Sequence, residues 1–518
     1  MDPSPIACRH RDNFGAFADM FGAAQRQRRE PGPPGMVPLL SARSACNHLL
    51  FDLDIPTMKT SIRAIAFAAL FSLAGAAPVQ AQQAHLSGGA RQLSEADQAM
   101  AAIHDEAQLT QQVASSATAG DWQTNAAALR RLVQIRPQNP HYRYQLAVAY
   151  AQLNDKTGGY DTLLALQASG MAYDLESDQR LASLRGTQVW DHLVRLNTEA
   201  REPFGEGALA FELAPADLLL ESIVHDPAGK AFFFGSARDG QIYRRGDDGK
   251  LAAWAKPQGE HWWSIMHLAL DPDGKHLWAT SAAVPHFRAF KVEMGGQSSL
   301  LKIALADGHL VDSWRVPDDG MPHVLNAVAV SSRGVVVVAE GLRGQLFKLE
   351  DGALAPLMAE PQLNALRGLA FSADGMVLYL ADFQRGLFGM DLRNNTAFDL
   401  AAPANVNLYG IEGLYQYEGQ LIAVQSGIQP QRIMRLKLDQ AGRQIALAVP
   451  LESSQPEFAT PTVGTLVGSR LHYIANTQRG YYDGYGLRRT SRELPPVKVY
   501  ATDVRFNWDW EPPRMPGQ

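Results

Sequence analysis

Residues 367–382 read RGLAFSADGMVLYLAD: an apolar strand, a tight turn at Gly375 and a second apolar strand. This pattern predicts a β-hairpin, because glycine accepts the backbone angles of a tight turn between two strands. The template recurs in ESIVHDPAGKAFFFGS (221–236), MHLALDPDGKHLWATS (266–281), NAVAVSSRGVVVVAEG (326–341), EGLYQYEGQLIAVQSG (412–427) and TVGTLVGSRLHYIANT (462–477). Successive turn glycines lie 41 to 60 residues apart, so the chain contains six repeated hairpins.

A third strand follows most of the hairpins, in GQIYRR, GQLFKLE, GLFGMDL, QRIMRLKL and VKVYATD. Polar stretches after these segments leave room for a fourth strand in each unit. Units of three to four antiparallel strands at this spacing are typical of a β-propeller, and six units predict six blades. A β-sandwich is the alternative, but it does not require one hairpin template six times. We expect ALAFELA (208–214) to add a strand to the last blade, and PHFRAFKVEMGGQSS (285–299) to form a loop.

The part before the hairpins is rich in Ala, Leu and Gln, with apolar residues three and four positions apart, which indicates helices. We expect one helix from Trp122 to Pro137 and a second from Tyr142 to Leu153. The layout resembles tetratricopeptide helix pairs, which imply a surface for a partner protein; a plain helical cap on the next domain is the alternative. The predicted fold class is α+β in two domains, a helical region (82–203) and an all-β six-bladed propeller (204–505).

The stretch MKTSIRAIAFAALFSLAGAAPVQAQQ begins at Met58 and has a basic start, an apolar run at 64–77 and a small-residue cleavage site ending at Ala81. These are the parts of a secretory signal peptide (58–81). We therefore expect residues 1–57 to be a non-native, disordered upstream extension, and the mature protein to be periplasmic or secreted. A membrane anchor is the alternative, but it needs about 20 apolar residues.

Composition excludes several classes of function. Cys8 and Cys46 both precede Met58, so the expected mature chain has neither a disulfide nor a thiolate metal site. A net charge of -6 and 19% charged residues, without a basic stripe, exclude a nucleic-acid partner. No membrane span is expected after signal cleavage, and residues 506–518 are expected to form a C-terminal tail. Sequence motifs for serine hydrolases, zinc proteases, phosphate loops and dinucleotide binding are missing.

The segments RGLAFSADG and NAVAVSSRG resemble the gluconolactonase and senescence-marker-protein family of six-bladed propellers, whose units read Asn-Gly-Leu-apolar-Ser-Pro-Asp-Gly. The resemblance covers about residues 216–476. It implies a divalent cation, Ca²⁺ or Zn²⁺, at the channel mouth and hydrolysis of a small lactone or ester. Glu221 matches the family's first-blade ligand, Glu412 stands for its Asp, and Asn326 matches a further Asn; these three are the expected metal ligands.

Arg367 departs from that pattern, because the family has a metal-binding Asn before this Gly-Leu pair. A guanidinium has only donors and keeps its charge, so it cannot bind a cation. We therefore expect Arg367 to pair with Glu221 and Glu412 where the metal would lie, leaving the site metal-free or shifted toward His267.

One polar residue per unit is predicted to meet its counterparts around the channel mouth: Glu221, His267, Asn326, Arg367, Glu412 and Thr462. They could line a water-filled channel, a pocket for a small molecule or a metal site. His323 and the residues His261, Trp262 and Trp263 could form a pocket wall or pack between blades. The loop NTQRGYYDGYG (476–486) could be a recognition rim or an ordinary surface loop.

Two functions follow from these patterns. The first is a non-catalytic binding module, in which the helices and the propeller rim hold a partner protein or a small ligand. The second is a metal-dependent, lactonase-like hydrolase. Arg367 favours the binding module, and the sequence leaves open whether the protein is an enzyme.

Overall fold

The computed structural model describes residues 94–505. The predicted upstream extension (1–57), signal peptide (58–81) and C-terminal tail (506–518) lie outside these residues. Among residues 94–505, none of the helices combines the length and the apolar composition that a membrane span requires.

Residues 95–200 are helical, with a side-chain oxygen capping the start of each α-helix. The helix predicted to begin at Trp122 does so, and the next begins at Pro140, two residues before its predicted start. Asn139 caps that helix and proline suits its first turn, which explains the earlier start. The helices are α1 (Glu95–Ala101), α2 (Glu106–Ala119), α3 (Trp122–Ile135), α4 (Pro140–Gln152), α5 (Lys156–Ala168) and α6 (Gln188–Ala200), with a 3₁₀ helix at Gln179–Leu184.

Six four-stranded antiparallel sheets follow, so the predicted six-bladed propeller is confirmed. Blade 1 consists of β2 (Leu220–Asp226), β3 (Ala231–Ser236), β4 (Ile242–Arg245) and β5 (Leu251–Ala255). Blade 2 consists of β6 (Ser264–Leu270), β7 (His276–Ala282), β8 (Ser298–Ala304) and β9 (Leu310–Arg315). Blade 3 consists of β10 (Leu325–Val330), β11 (Val336–Glu340), β12 (Gln345–Glu350) and β13 (Ala353–Ala359). Blade 4 consists of β14 (Leu366–Phe371), β15 (Val377–Asp382), β16 (Gly386–Asp391) and β17 (Thr396–Asp399). Blade 5 consists of β18 (Ile411–Tyr417), β19 (Gln420–Gln425), β20 (Arg432–Leu438) and β21 (Ile445–Ser453).

Blade 6 combines the two ends of the propeller: β22 (Gly464–Val467), β23 (Arg470–Ile474) and β24 (Val497–Asp503) are completed by β1 (Ala208–Leu213). Strand β1 pairs with β24 from Ala208 opposite Ala501 to Leu213 opposite Val497. The expected extra strand on the last blade is therefore confirmed. It closes the ring by hydrogen bonds between the first and last strands, which protects the edge that β24 would otherwise expose.

Each innermost strand begins at one end of the central channel, which we call the mouth end, and finishes at a hairpin turn, which marks the turn end. The turn glycines Gly274 and Gly375 have φ angles of +66° and +70°, which other residues rarely adopt. Buried apolar residues fill the space between blades, as where Phe233 of blade 1 clusters with Ile265 and Leu268 of blade 2. This packing holds the six innermost strands around one channel.

The helices pack on the mouth end of blades 4 and 5. Phe383, Tyr409 and Ile428, from three loops of these blades, share one apolar cluster with residues of α4, α5 and α6. A backbone hydrogen bond supports this packing, because the amide of Ala172 donates to the carbonyl of Gln429 at 2.9 Å. The helical region therefore forms one side of the mouth.

Candidate functional site at the channel mouth

A β-bulge lies near the start of the innermost strand, at the mouth end, in five of the six blades. The bulge leaves one residue without a partner in the next strand, which re-aims its side chain. These residues are Glu221, Met266, Asn326, Arg367 and Glu412. In blade 2 the equivalent residue is thus Met266 and not the predicted His267. Blade 6 has no register shift between β22 and β23, and Thr462 precedes its first strand by two residues.

The structure brings Glu221 and Glu412 together around a third residue, Arg479. The Nε of Arg479 donates to both oxygens of Glu221, at 2.8 and 3.0 Å, and its Nη2 also contacts Oε2. Its Nη1 donates to Oε2 of Glu412 at 3.1 Å. Only 7% of the Glu221 side chain and 1% of the Glu412 side chain are exposed, so this is a buried network.

The charges in this network balance. Burial alone would lower the pKa of Arg479, but the charges of Glu221 and Glu412 outweigh burial and raise it. Burial lowers the pKa of Arg367, and the charge of Glu412 opposes that change most strongly. Two guanidinium groups therefore face two carboxylates. The sequence predicts a cation paired with both glutamates, namely Arg367; in the structure Arg479 contacts both of them.

The remaining predicted residues lie outside the Arg479 contacts. Asn326 is half-buried, and its Nδ2 donates to the carbonyl of Leu366 at 2.5 Å. Thr462 is buried, and its backbone amide bonds Ile474. The Nδ1 of His267 accepts a long hydrogen bond of 3.4 Å from the amide of Val328. Asn326, His267 and Thr462 thus contact backbone groups of their own or a neighbouring blade.

These residues do not fit a divalent cation. Ca²⁺ prefers six to eight oxygen ligands. Both oxygens of Glu221 and one oxygen of Glu412 already accept hydrogen bonds from Arg479, and Asn326 donates to a backbone carbonyl. A cation at this position would also meet the charge of Arg479. The two glutamates are therefore committed to Arg479, whereas Oδ1 of Asn326 is buried without a hydrogen-bond partner among the described residues. One amide oxygen is too few to hold a cation by itself.

Toward the turn end, the innermost strands of all six blades enclose a channel cavity of about 340 Å³. Its wall is mostly apolar, and its polar lining includes His267 and Arg367. The exposed residues Ser332 and Ala373 line it at the turn end, where it meets solvent. A cavity of this size can accept a small organic molecule.

The imidazole of His267 makes folding stability depend on pH. Burial lowers its pKa to about 4, whereas an unfolded histidine has a pKa near 6.5. Because the unfolded chain binds the proton first, the stability that His267 contributes is present above pH 6.5 and is lost as the pH falls toward 4. We expect that loss to be about 2 to 3 kcal/mol.

Urea unfolding of the wild type and of His267→Gln between pH 7 and pH 4 measures this contribution. Glutamine keeps an acceptor for Val328 but does not titrate, so its stability should fall less on acidification. The comparison isolates His267 from other half-buried histidines, such as His472, whose pKa burial also lowers to about 4. Parallel curves for the two proteins would contradict the prediction.

Arg479 belongs to the long connection between β23 and β24, which includes the predicted rim loop 476–486. This connection contacts the β7–β8 loop across blade 1. Nη1 of Arg238 donates to the carbonyls of His286 and Gly486, at 2.7 and 3.0 Å, and so joins the two loops.

Trp262 and Trp263 are buried, and the indole N–H of Trp262 donates to the carbonyl of Gly240 in the neighbouring blade at 2.6 Å. Trp262 therefore packs between blades, one of the two alternatives that the sequence left open, whereas Trp263 packs against the β7–β8 loop of its own blade.

A second recurrent feature lies at the mouth end, where the second strand of each blade finishes. Oxygens of Asp382 accept hydrogen bonds from the amides of Ala365, Gln384 and Arg385 at 2.9 Å each. Glu340 binds three amides of its own blade in the same way. These buried side chains hold the mouth-end loops in place. A sequence signal for these residues exists, because each hairpin segment has a polar residue at or near its end, but the predicted polar ring contains only residues from the hairpin starts.

Another acidic group lies at the turn end of blade 2, away from the mouth. Asp271, Asp273 and His276 offer ligand atoms within 4.8 Å of one another, a donor set that could hold a metal ion. The Nδ1 of His276 lies 3.0 Å from Oδ2 of Asp273, and Trp278 donates to Asp271 at 2.8 Å. The group sits in an ordinary Asp-Gly hairpin turn.

No protein-family model and no curated protein matches the chain. Similar solved structures include a calcium-binding regucalcin from Agrobacterium tumefaciens (17% identity, covering 57% of this chain and 96% of that chain, TM-score 0.40) and a gluconolactonase from Xanthomonas campestris (12%, 58% and 94%, 0.39). A virginiamycin B lyase from Staphylococcus aureus is also similar (15%, 58% and 90%, 0.40). At these identities the likeness concerns the fold alone.

Proposed function

We propose that this chain is an exported, non-catalytic binding protein that recognises a partner protein through the mouth end of its propeller. The observation that carries the proposal is the network of Glu221, Glu412 and Arg479. In a metal-dependent hydrolase these carboxylates would be available to a cation, whereas here a guanidinium neutralises them. The charge-balanced network supports a structural role at the channel mouth and disfavours the lactonase-like alternative.

The loops around the mouth support recognition of a protein. Val292, Met321, Tyr485 and Leu487 are each 50% exposed or more, and all four lie in mouth-end loops of blades 2 and 6 or between blades 2 and 3. Exposed apolar side chains that gather at one end of a molecule are typical of interaction surfaces. The helical region beside blades 4 and 5 would extend this surface, as expected of tetratricopeptide-like helices.

The proposal of export rests on residues 58–81 alone. N-terminal sequencing of the purified protein should find Gln82 as the first residue. A product that retains Met58 would refute export through this signal peptide.

Calorimetric titration with Ca²⁺, Mn²⁺ and Zn²⁺, combined with assays of lactone hydrolysis, distinguishes the two functions. We expect no lactonase activity, and we expect any ion binding to disappear in Asp273→Asn, which removes a ligand from the turn-end group. Glu221→Gln should leave ion binding unchanged. Ion binding that survives Asp273→Asn and is lost in Glu221→Gln would establish a metal site at the mouth and contradict the proposal.

Cross-linking capture from an envelope extract tests the recognition surface. A genuine partner should be recovered by the wild type and lost by the double variant Tyr485→Ser/Leu487→Ser. Val311→Ser is the matched control, because Val311 is 45% exposed but lies on an outer strand of blade 2, away from the mouth loops. Equal recovery by the double variant and the control would show that these loops do not bind the partner.

A further inference from the structure

The channel cavity of about 340 Å³ is mainly apolar and opens to solvent at the turn end, opposite the mouth. Its half-buried apolar lining includes Ala269, Val330 and Leu466, which lie near the turn ends of three innermost strands. Among residues 94–505, none of the aspartates and glutamates lines this cavity, and Arg367 is the one arginine or lysine in its wall. The turn-end part of the channel is therefore an apolar space that a small molecule can enter from solvent.

The imidazole of His267 offers this space a hydrogen-bond donor. Its Nδ1 accepts from the amide of Val328, so the neutral ring carries its proton on Nε2. Nε2 has no hydrogen bond to any residue of the described chain, and it is not among the buried polar atoms that lack a partner. His267 is half-buried and lines the cavity, so the surface that Nε2 keeps faces the cavity. The N–H of His267 is thus accessible to a molecule bound there.

The charge of Arg367 is balanced from the mouth side. The carboxylates of Glu412 and Glu221 both act on its guanidinium, Glu412 more strongly, and Arg479 pairs with the same two carboxylates. These four groups leave no surplus positive charge that would hold an anion. Burial keeps the pKa of His267 at about 4, so this ring adds no charge near pH 7. The lining therefore suits a neutral molecule, and an exposed donor in an apolar wall suits one that carries an acceptor.

We propose that the channel cavity binds a small neutral molecule that enters from the turn end, packs against Ala269, Val330 and Leu466, and accepts a hydrogen bond from Nε2 of His267. The volume accommodates a ligand the size of a bicyclic aromatic ring. One directed hydrogen bond within an apolar wall fixes the orientation of such a ligand, because its acceptor must point toward blade 2. The site opens at the opposite end from the mouth and does not depend on the function proposed there.

Ligand-observed NMR titration of the full chain near pH 7 with quinoline and with indole tests the proposal. The two bicyclic rings have similar shape and are both neutral, but quinoline carries an acceptor nitrogen and indole carries a donor. We expect quinoline to bind with a dissociation constant of about 0.1 to 5 mM, and indole to bind about fivefold more weakly or less. Failure of quinoline to bind at ~10 mM, or tighter binding of indole, overturns the proposal.

His267→Leu should weaken quinoline binding about tenfold, because it removes the donor and keeps an apolar side chain. His267→Gln keeps an N–H donor and should retain most of the affinity that His267→Leu loses. A merely structural role of His267 would not make quinoline binding follow the presence of a donor. Equal affinity of the wild type and His267→Leu for quinoline overturns the proposal.

Ala373→Trp tests the entrance without changing the interior. Ala373 is exposed in the hairpin turn of blade 4 and lines the opening, so tryptophan there should obstruct it and weaken quinoline binding about tenfold or more. Ala228→Trp is the matched control, because Ala228 is exposed in the hairpin turn of blade 1 but does not line the cavity. Quinoline binding that Ala373→Trp leaves unchanged, or that Ala228→Trp weakens equally, overturns entry from the turn end.

Discussion

Arg479→Met is expected to lower the free energy of unfolding by about 3 to 5 kcal/mol, because it leaves Glu221 and Glu412 buried without their shared cation. Methionine keeps much of the arginine's apolar volume, so the loss should report the charge and hydrogen bonds rather than a cavity. Urea unfolding followed by fluorescence measures the change. Glu412 is the more sensitive partner, since only 1% of its side chain is exposed.

The controls for Arg479→Met separate burial from simple charge removal. Arg505→Met removes a guanidinium from an exposed pair with Asp503, at the end of blade 6, and should cost less than about 1 kcal/mol. Adding Glu221→Gln and Glu412→Gln to Arg479→Met removes the two carboxylate charges that Arg479 neutralised and should restore part of the lost stability. If Arg479→Met is as mild as Arg505→Met, the network does not stabilise the mouth.

Asp382→Ala is expected to cost about 3 kcal/mol or more, because it leaves the backbone amides of the half-buried residues Ala365, Gln384 and Arg385 without this acceptor. Burial raises the pKa of Asp382, and these three hydrogen bonds oppose that rise. The loss should appear in urea unfolding as a lower midpoint with an unchanged slope. It should also loosen the loops on which the helical region packs.

Asp382→Asn is the matched variant, because it keeps one acceptor oxygen and similar volume. It should be less destabilising than Asp382→Ala, by about 1 kcal/mol or more. Hydrogen exchange at Gln384 and Arg385 should accelerate in both variants, and more in Asp382→Ala. Equal stability of the two variants would show that the amides find water or another acceptor, and that Asp382 does not hold the loop.

The mouth thus contains two kinds of polar residue, those at the start of the hairpins and those at their ends. Polar residues at the start of the hairpins were recognised because Glu221, Arg367 and Glu412 stand out in apolar strands. The residues at the hairpin ends, such as Asp382 and Glu340, were missed although the same alignment contains them. A carboxylate that binds backbone amides and one that could bind a ligand look alike in a sequence, because the difference lies in the neighbouring amides.

The position of the β-bulge within each hairpin also limits the prediction of which side chains face the mouth. The hairpin pattern predicts His267 as the member of the mouth ring in blade 2, but the bulge falls at Met266, one residue earlier. Side chains alternate between the faces of a strand, so a shift of one residue changes which side chain faces the mouth. Bulges depend on the pairing of two strands and on the loop beyond them, and the hairpin pattern alone does not place them.

The sequence by itself determined the six hairpins, their order and the strand that closes the ring, because alternation of apolar residues and turn glycines acts over a few residues. It also identified two of the three members of the buried network, Glu221 and Glu412. Only the tertiary structure decided which cation meets them. Arg479 is 258 residues from Glu221 and 67 from Glu412, and it reaches both because ring closure places blades 1, 5 and 6 side by side. An ion pair across blades depends on that closure and on the path of one long loop, and neither leaves a local pattern in the chain.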